Sequence, residues 1–200
     1  MRDLFIFDMG GVMAESCPVL PRAAAALGVG EAELLGLVRE DFDAITEGRL
    51  GTEEFWRRFS ARTGLAAREN YWATLFAPRA DPAMAALARA LRSRGRVVCG
   101  TNTIDVHYAY HLEQGQYGCF DAVYASHLMG LSKPRPEFWL SILEAEGRGP
   151  ERALFVDDLA ENVEAARELG IDGRLFRGAE PLIRELEAEY GLELAARPGH

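Results

Sequence analysis

The sequence has 200 residues, enough for one domain with a substantial core, or for one domain that carries a large insertion. Its formal charge of −9 argues against general attraction to nucleic acid or to an anionic membrane, and its charged fraction of 26% is ordinary for a globular protein. The three cysteines lack metal-ligand spacing, which predicts a reducing environment. The sequence has neither a signal-peptide pattern nor an apolar run of about 20 residues, so we predict a cytoplasmic protein.

Five short runs rich in Val, Ile, Phe or Leu predict strands. They are LFIF at 4–7, RVVCG at 96–100, AVYA at 122–125, ALFV at 153–156 and, as the weakest, GRLF at 173–176. Uninterrupted apolar runs are typical of strands that are buried on both faces of a parallel sheet. Helical patterns at 81–95, 136–147 and 159–170 separate the later runs. This alternation indicates an α/β fold with right-handed crossovers.

Residues 15–80 contain no good strand, and they are too many for a plain loop in a compact domain. They carry three apolar stripes with helical spacing, which we expect to pack on one another: Leu34, Leu35, Val38, Phe42 and Ile45; Phe55, Trp56 and Phe59; Tyr71, Trp72, Leu75 and Phe76. We therefore predict an α/β core of residues 1–14 and 81–200 and a helical-bundle cap of residues 15–80. The tail AARPGH is predicted to be poorly ordered.

Each of the first four strands is followed by polar or charged residues. Ligands of a parallel sheet bind beyond the carboxyl ends of its strands, so we expect these residues to share one rim. They are Asp8 after the first strand, Thr101 and Asn102 after the second, Lys133 after the third, and Asp157 and Asp158 after the fourth. Singly, each is explained as a turn residue, a helix cap or a solvated charge. Together they indicate a functional site.

Three carboxylates at one rim repel one another, which raises their pKa values unless a cation lies among them. Such oxygen ligands suit Mg²⁺, which accepts one or two carboxylates together with water and a phosphate oxygen. Lys133 adds a positive charge that keeps Asp8 ionised. Thr101, Asn102 and the amides of residues 9–11 can donate hydrogen bonds to a phosphate. An ionised Asp8 can then attack phosphorus and form an aspartyl-phosphate.

The segments FIFDMGGV, VVCGTNT, LSKPRP and FVDDLAEN, in this order, resemble the four signature motifs of the haloacid dehalogenase-like hydrolases. Most members of this superfamily are phosphatases, and many carry a helical cap after the first strand. The resemblance covers nearly the whole chain. It implies a Rossmann-like parallel sheet with strand order 5-4-1-2-3.

The resemblance also implies a metal site. Asp8 would be both the nucleophile and a magnesium ligand, the backbone carbonyl of Gly10 a second ligand and Asp158 a third. Asp157 and Asn162 would support the waters of the metal.

The same resemblance implies a phosphate site. Thr101 and Lys133 would bind the transferring phosphoryl group, together with Asn102 and the turn at Gly10 and Gly11. The expected partner is a small phosphorylated substrate, and neither nucleic acid nor a membrane is expected. The sequence leaves the oligomeric state open.

One position departs from the pattern of the family. Family phosphatases usually carry a second Asp two residues after the nucleophile, which protonates the leaving group and later activates water, whereas this chain has Gly10. General acid–base catalysis contributes roughly 10²–10⁴-fold, so its loss lowers the rate but leaves positioning and electrostatics in place. We therefore expect a leaving group that needs little protonation, such as an anomeric sugar phosphate or an acyl phosphate. The stretch FDAITEGRLGTEEFW also resembles the branch that includes sugar-1-phosphate phosphatases.

Four alternatives remain at this stage. Gly10 also suits a catalytically weak phosphate-binding or regulatory protein. A haloacid dehalogenase is less expected, because those relatives usually carry Tyr at this position. A signalling receiver combines Asp, Mg²⁺ and Lys on a parallel sheet, but its acidic pair follows the first strand. His107 and His111 have a spacing that can bind zinc, without a third ligand in the pattern.

The cap offers two further candidates. The loop TEGRLG at 46–51, with Glu47 and Arg49 as its polar side chains, is either a specificity loop that closes over the site or a solvated connector. Glu15 is either a substrate contact or an exposed linker carboxylate, and the second reading is favoured.

Overall fold

The structure, a computed structural model, describes residues 2–193. Its five strands form one parallel sheet in the order β3-β2-β1-β4-β5, which is the predicted order read from the opposite edge. The strands are β1 (Leu4–Phe7), β2 (Arg96–Thr101), β3 (Ala122–Ala125), β4 (Ala153–Asp157) and β5 (Asp172–Leu175). The predicted fold class is therefore confirmed. The tail AARPGH lies outside the described residues.

The central strand of the sheet is β1, which lies between β2 and β4. Phe7, its last residue, pairs with Cys99 of β2 and with Val156 of β4. Because all these strands are parallel, Asp8 leaves the sheet at the edge where β2 ends at Thr101 and β4 ends at Asp157. The register thus brings the polar residues of three strand ends to one rim.

The first four of the five helices between β1 and β2 lie within residues 15–80. They are α1 (Val19–Leu27), α2 (Glu31–Thr46), α3 (Thr52–Thr63) and α4 (Tyr71–Thr74). We call residues 15–80, which contain these helices, the insert. Its two ends meet, since the Glu15 N–H donates to the Arg79 carbonyl at 2.9 Å and the Asp81 N–H donates to the Met13 carbonyl at 2.9 Å. The exact division into core and cap stays a prediction.

The insert has an aromatic core of its own. Trp56 lies at its centre, with ring centroids 5.3 Å from Tyr71 and 5.0 Å from Trp72, and Phe55 and Phe59 pack beside it. These side chains are buried, as predicted from the second and third stripes. Edge-on aromatic pairs of this kind add to the free energy gained by burial.

The prediction for α2 is wrong at two positions. Leu34, Val38 and Ile45 are buried, but Leu35 and Phe42 are 51% and 53% exposed. A helix turns by about 100° per residue, so Phe42 and Leu35 lie roughly 60° and 80° around the axis from the centre of the buried three. The apolar stripe of α2 is therefore wider than the surface on which the helix packs.

Besides two short 3₁₀ helices, six further α-helices lie within the described residues. They are α5 (Pro82–Leu91), α6 (Asp105–Glu113), α7 (Ser126–Met129), α8 (Pro136–Glu146), α9 (Ala160–Glu168) and α10 (Ala179–Tyr190). The helix α5 ends earlier than predicted, and a turn through Gly95 then leads into β2. Its beginning matches the prediction, because the Asp81 carboxylate accepts hydrogen bonds from the first turn.

Helices cover both faces of the sheet. Phe5 and Phe7 of β1 point into a core with α5 and α10, whereas Leu4 and Ile6 point into a second core with α8 and α9. All four side chains are buried. This explains why β1 is an uninterrupted apolar run rather than an alternating one. No helix in the described part of the chain has both the length and the apolar character needed to cross a bilayer.

Candidate active site

A buried lysine lies at the centre of the site. Lys133 Nζ donates to Asp8 Oδ1 at 2.8 Å, to Asp157 Oδ2 at 2.6 Å and to the Gly100 carbonyl at 3.0 Å. Lys133 is only 4% exposed. Burial alone would lower its pKa, but the charges of Asp8 and Asp157 outweigh burial and raise the pKa above its usual value. The lysine is therefore charged at neutral pH.

The loop that carries Lys133 is held against the end of β2 by Asn102. The Asn102 side chain donates from Nδ2 to the Lys133 carbonyl at 2.8 Å and accepts from the Lys133 N–H at Oδ1, also at 2.8 Å. Both polar atoms of this side chain are thus used on the backbone of Lys133. Its role as a positioning residue was not predicted, and its predicted contact with phosphate stays a prediction.

Asp157 is fully buried and held from several sides. Its Oδ1 accepts from the Leu159 N–H at 2.8 Å, and Asn162 Nδ2 lies 3.1 Å from both of its oxygens. Oδ2 also accepts from Lys133. The carboxylate therefore orients the ammonium and fixes the start of α9, with Asn162 as its support.

Asp158 lies on the open side of the site. One oxygen each of Asp8, Asp157 and Asp158 lie within 4.8 Å of one another. Burial raises the pKa of Asp158, and the charge of Asp157 raises it further. Gly11 permits this approach, because it has a φ of 76° and a Cβ at this position would collide with Asp158 Oδ2.

The pKa of Asp8 is set by burial and by an unbalanced set of charges around the carboxylate. Burial raises its pKa most, Lys133 lowers it, and Asp157 raises it again; hydrogen bonds from Lys133 and Thr101 lower it. The net direction is upward. One ammonium does not balance three carboxylates, and a further cation here would favour the ionised form of each. The oxygen ligands and their spacing fit a hard divalent ion such as Mg²⁺.

Gly10, by contrast, is not required by space or backbone conformation. Its φ is not positive, and a Cβ built there would have no atom within 4 Å. A cavity of about 360 Å³ opens beside Gly10 and Thr101, and Ser16 and Phe76 also line it. The position where family phosphatases carry the acid is therefore open, and a longer side chain could extend from it.

The two histidines do not form a zinc site with a third ligand. His107 Nε2 lies 2.9 Å from the Trp72 carbonyl, and His111 Nδ1 lies 2.6 Å from Gln116 Oε1. Burial lowers the pKa of His107 to about 4, so the ring is neutral at pH 7. Within residues 2–193, the three aspartates are the one cluster of at least three potential metal ligands.

Glu47 of the loop at 46–51 is only 5% exposed, so the loop is not a solvated connector at this position. Its Oε1 accepts from Ser132 Oγ at 3.0 Å and from Arg135 Nη2 at 2.8 Å, and Oε2 accepts from Arg49 at 2.9 Å. The hydrogen bond from Arg49 contributes most to holding its pKa below the usual range. Glu47 thus ties the insert to the loop that carries Lys133.

Sequence reasoning missed Ser132 and Arg135 as the partners of Glu47. Both flank Lys133 in LSKPRP, but they are separated from Glu47 by more than 80 residues, so nothing in the local pattern points to the contact. Glu15 agrees with the favoured prediction, since it is exposed and pairs with Arg79 at 2.9 Å.

Comparison with known proteins identifies the family of the chain. The family model for haloacid dehalogenase-like hydrolases matches residues 2–170. A sesquiterpene phosphatase of Aspergillus oryzae is 28% identical over 173 residues, which cover 84% of this chain and 86% of that protein.

Two solved structures are also similar. A predicted HAD-like hydrolase of Porphyromonas gingivalis has a TM-score of 0.75 and 26% identity, with 93% of this chain and 98% of that chain covered. A HAD-family enzyme of Bacteroides thetaiotaomicron, in complex with magnesium and inorganic phosphate, has a TM-score of 0.74 and 22% identity, with 88% and 94% covered. The chain belongs to the haloacid dehalogenase-like hydrolases.

Proposed function

We propose that this protein is a Mg²⁺-dependent phosphatase that hydrolyses a small phosphorylated metabolite through an aspartyl-phosphate on Asp8. The observation that carries the proposal is the contact between Asp8, at the end of the central strand, and the buried ammonium of Lys133. Gly10 and Thr101, which lie at the same strand ends as Asp8 and Gly100, line a cavity of about 360 Å³. Membership of the hydrolase family and the similarity to a phosphatase support the proposal.

The proposed metal ligands are Asp8, Asp158 and the Gly10 carbonyl. Asp157 would act from outside the ligand shell, because its oxygens already accept hydrogen bonds from Lys133, Leu159 and Asn162. When bound, Mg²⁺ would neutralise part of the charge of the phosphate and of the carboxylates. The similar Bacteroides structure, which contains magnesium and phosphate, supports magnesium as the metal.

Each residue of the site has its own role in the proposed reaction. Lys133 orients Asp8 and keeps it ionised, and it places a positive charge beside the arriving phosphate. Thr101 and the amides of the turn at Gly10 and Gly11 donate hydrogen bonds to phosphoryl oxygens. Asp8 attacks phosphorus, the bond to the leaving oxygen breaks, and this oxygen takes a proton from water. A water molecule then hydrolyses the aspartyl-phosphate, which releases inorganic phosphate and restores Asp8.

The finer substrate proposal follows from Gly10. Without an acid at this position, a leaving group of low pKa is favoured, and an anomeric sugar phosphate and an acyl phosphate both meet this condition. The alternative of a weak phosphate-binding or regulatory protein rests on the same glycine. Turnover assays distinguish the two.

We expect the protein to hydrolyse p-nitrophenyl phosphate with Mg²⁺ and to lose this activity when the metal is chelated. Asp8→Asn should lower kcat by roughly 10³-fold or more, because an amide cannot replace the nucleophile. Asp43→Asn, on the exposed side of α2, is the matched control and should retain activity. Turnover that persists in Asp8→Asn would remove Asp8 from the mechanism, and a wild-type protein without turnover would favour the regulatory alternative.

Gly10→Asp should restore an acid in the open space beside the reacting group. We expect kcat for an alkyl phosphate to rise roughly 10-fold or more, and that for an aryl phosphate to rise less, because the poorer leaving group gains more from protonation. Gly10→Asn, of equal size but without a proton to donate, is the control. Equal effects of Gly10→Asp on both substrates would contradict the view that an acid is missing here.

Gly11→Ala should weaken Mg²⁺ binding by roughly 10–100-fold, because the added Cβ displaces Asp158. Isothermal titration calorimetry measures the change. Gly10→Ala, where the added methyl group meets no atom, is the control and should change the affinity less. An unchanged affinity in a folded Gly11→Ala protein would show that Asp158 is not a ligand.

A further inference from the structure

A second cavity, of about 370 Å³, continues from the one beside Gly10 and Thr101. The two cavities have five lining residues in common: Cys17, Pro18, Asn102, Thr103 and His107. They are therefore contiguous, and together they lead from the rim of the sheet to the outer side of α2. We call this second cavity the channel.

The walls of the channel are mostly apolar. The insert contributes Val19 and Leu20 at the start of α1, Trp72 of α4 and one side of α2, namely Leu35, Val38, Phe42 and Ile45. None of its described lining residues is Lys, Arg, Asp or Glu. A pocket of this size is in the range that holds a small ligand.

Two polar side chains of the channel, Asn102 and His107, are engaged elsewhere. Asn102 uses both polar atoms of its side chain on the backbone of Lys133, and His107 Nε2 lies against the Trp72 carbonyl. A sugar ring in the channel would therefore bury several hydroxyl groups with few partners, which is unfavourable. A hydrocarbon chain has no hydroxyl groups to satisfy.

Leu35 and Phe42 mark the outer part of the channel. They are about half exposed, although the rest of the apolar stripe of α2 is buried. Phe42 follows Leu35 by seven positions, which is about two helical turns, so both lie on the same side of the helix. Exposed apolar side chains that line a cavity are typical of a binding site.

We propose that the channel binds a hydrocarbon chain attached to the phosphate, so that the substrate is an amphiphilic monophosphate. The phosphate would lie at Asp8 and Lys133, and the chain would extend past His107 to Phe42. This inference rests on the proposed function for the position of the phosphate. A chain joined as an acyl phosphate releases a carboxylic acid, which is the low-pKa leaving group that Gly10 favours. A chain joined through an ester releases an alcohol, which leaves more slowly because no acid at position 10 protonates it. In both cases water supplies the oxygen of the inorganic phosphate.

Binding tests the channel without relying on turnover. Butylphosphonate and decylphosphonate cannot be hydrolysed at their P–C bond, and calorimetry with wild-type protein and MgCl₂ gives the two Kd values below micelle-forming concentrations. Burial of each CH₂ group should tighten binding up to about fourfold, so we expect decylphosphonate to bind at least about 10²-fold tighter. Equal Kd values would overturn the proposal.

A pair of variants locates the chain. The double variant Leu35→Gln, Phe42→Gln should reduce the ratio of the two Kd values by roughly 10-fold, because it replaces apolar contacts in the channel by polar ones. Leu140→Gln, on α8 and 49% exposed, is the matched control outside the channel and should leave the ratio as in the wild type. An unchanged ratio in the double variant would exclude the channel as the site of the chain.

Turnover then identifies the linkage. We expect decyl phosphate or decanoyl phosphate to be hydrolysed with a higher kcat/KM than glucose 1-phosphate, and the faster of the two shows whether an ester or an acyl phosphate is preferred. A higher kcat/KM for glucose 1-phosphate would overturn the proposal. The proposed function is tested separately. It fails if the protein does not hydrolyse p-nitrophenyl phosphate. The binding of the two phosphonates is measured whether or not the protein shows this turnover.

Discussion

The site depends on the ion pairs between one buried ammonium and the carboxylates around it. Lys133 contacts Asp8 from β1, the carbonyl of Gly100 from β2 and Asp157 from β4, while its own loop follows β3 and α7. Four strand ends must therefore be in register before the charge is satisfied. Breaking a buried pair by removal of one partner typically costs about 3–5 kcal/mol, because an uncompensated charge remains. The same group thus stabilises the sheet edge and orients Asp8, the proposed nucleophile. Burial, together with the charge of Asp157, raises the pKa values of Asp8 and Asp158, and a metal ion beside them would favour their ionised forms.

The insert contributes a buried charge and an apolar surface next to the site at the sheet edge. Glu47 carries a second buried charge, and it binds Ser132 and Arg135 on either side of Lys133. The insert is thereby fixed to the same loop that presents the ammonium to Asp8. Its other contribution is shape, since α2 turns a wide apolar stripe partly towards a cavity rather than fully into a core. Charge near the sheet and apolar surface beyond it fit the two ends of an amphiphilic substrate.

The fold and the grouping of most candidate site residues followed from local patterns in the sequence. Uninterrupted apolar runs identified the strands, and the rule that parallel strands present their carboxyl ends to one edge predicted that Asp8, Lys133 and Asp157 lie together. Other features were not accessible in this way. Leu35 and Phe42 have the same residue types and helical spacing as their buried neighbours, and only the rotation of α2 against the rest of the insert leaves them exposed. The partners of Glu47 and the pairing of Asn102 with the backbone of Lys133 join distant segments, so they depend on how the loops dock rather than on any local signal.

A crystal structure grown with MgCl₂ and orthovanadate would test the central claim most directly, because vanadate adopts the geometry of a phosphoryl group in transfer. We expect vanadium bonded to a carboxylate oxygen of Asp8, Lys133 still in contact with that carboxylate, and one Mg²⁺ held by Asp8, Asp158 and the Gly10 carbonyl. Vanadate bound to another side chain, or a metal ion that avoids both Asp8 and Asp158, would contradict the account.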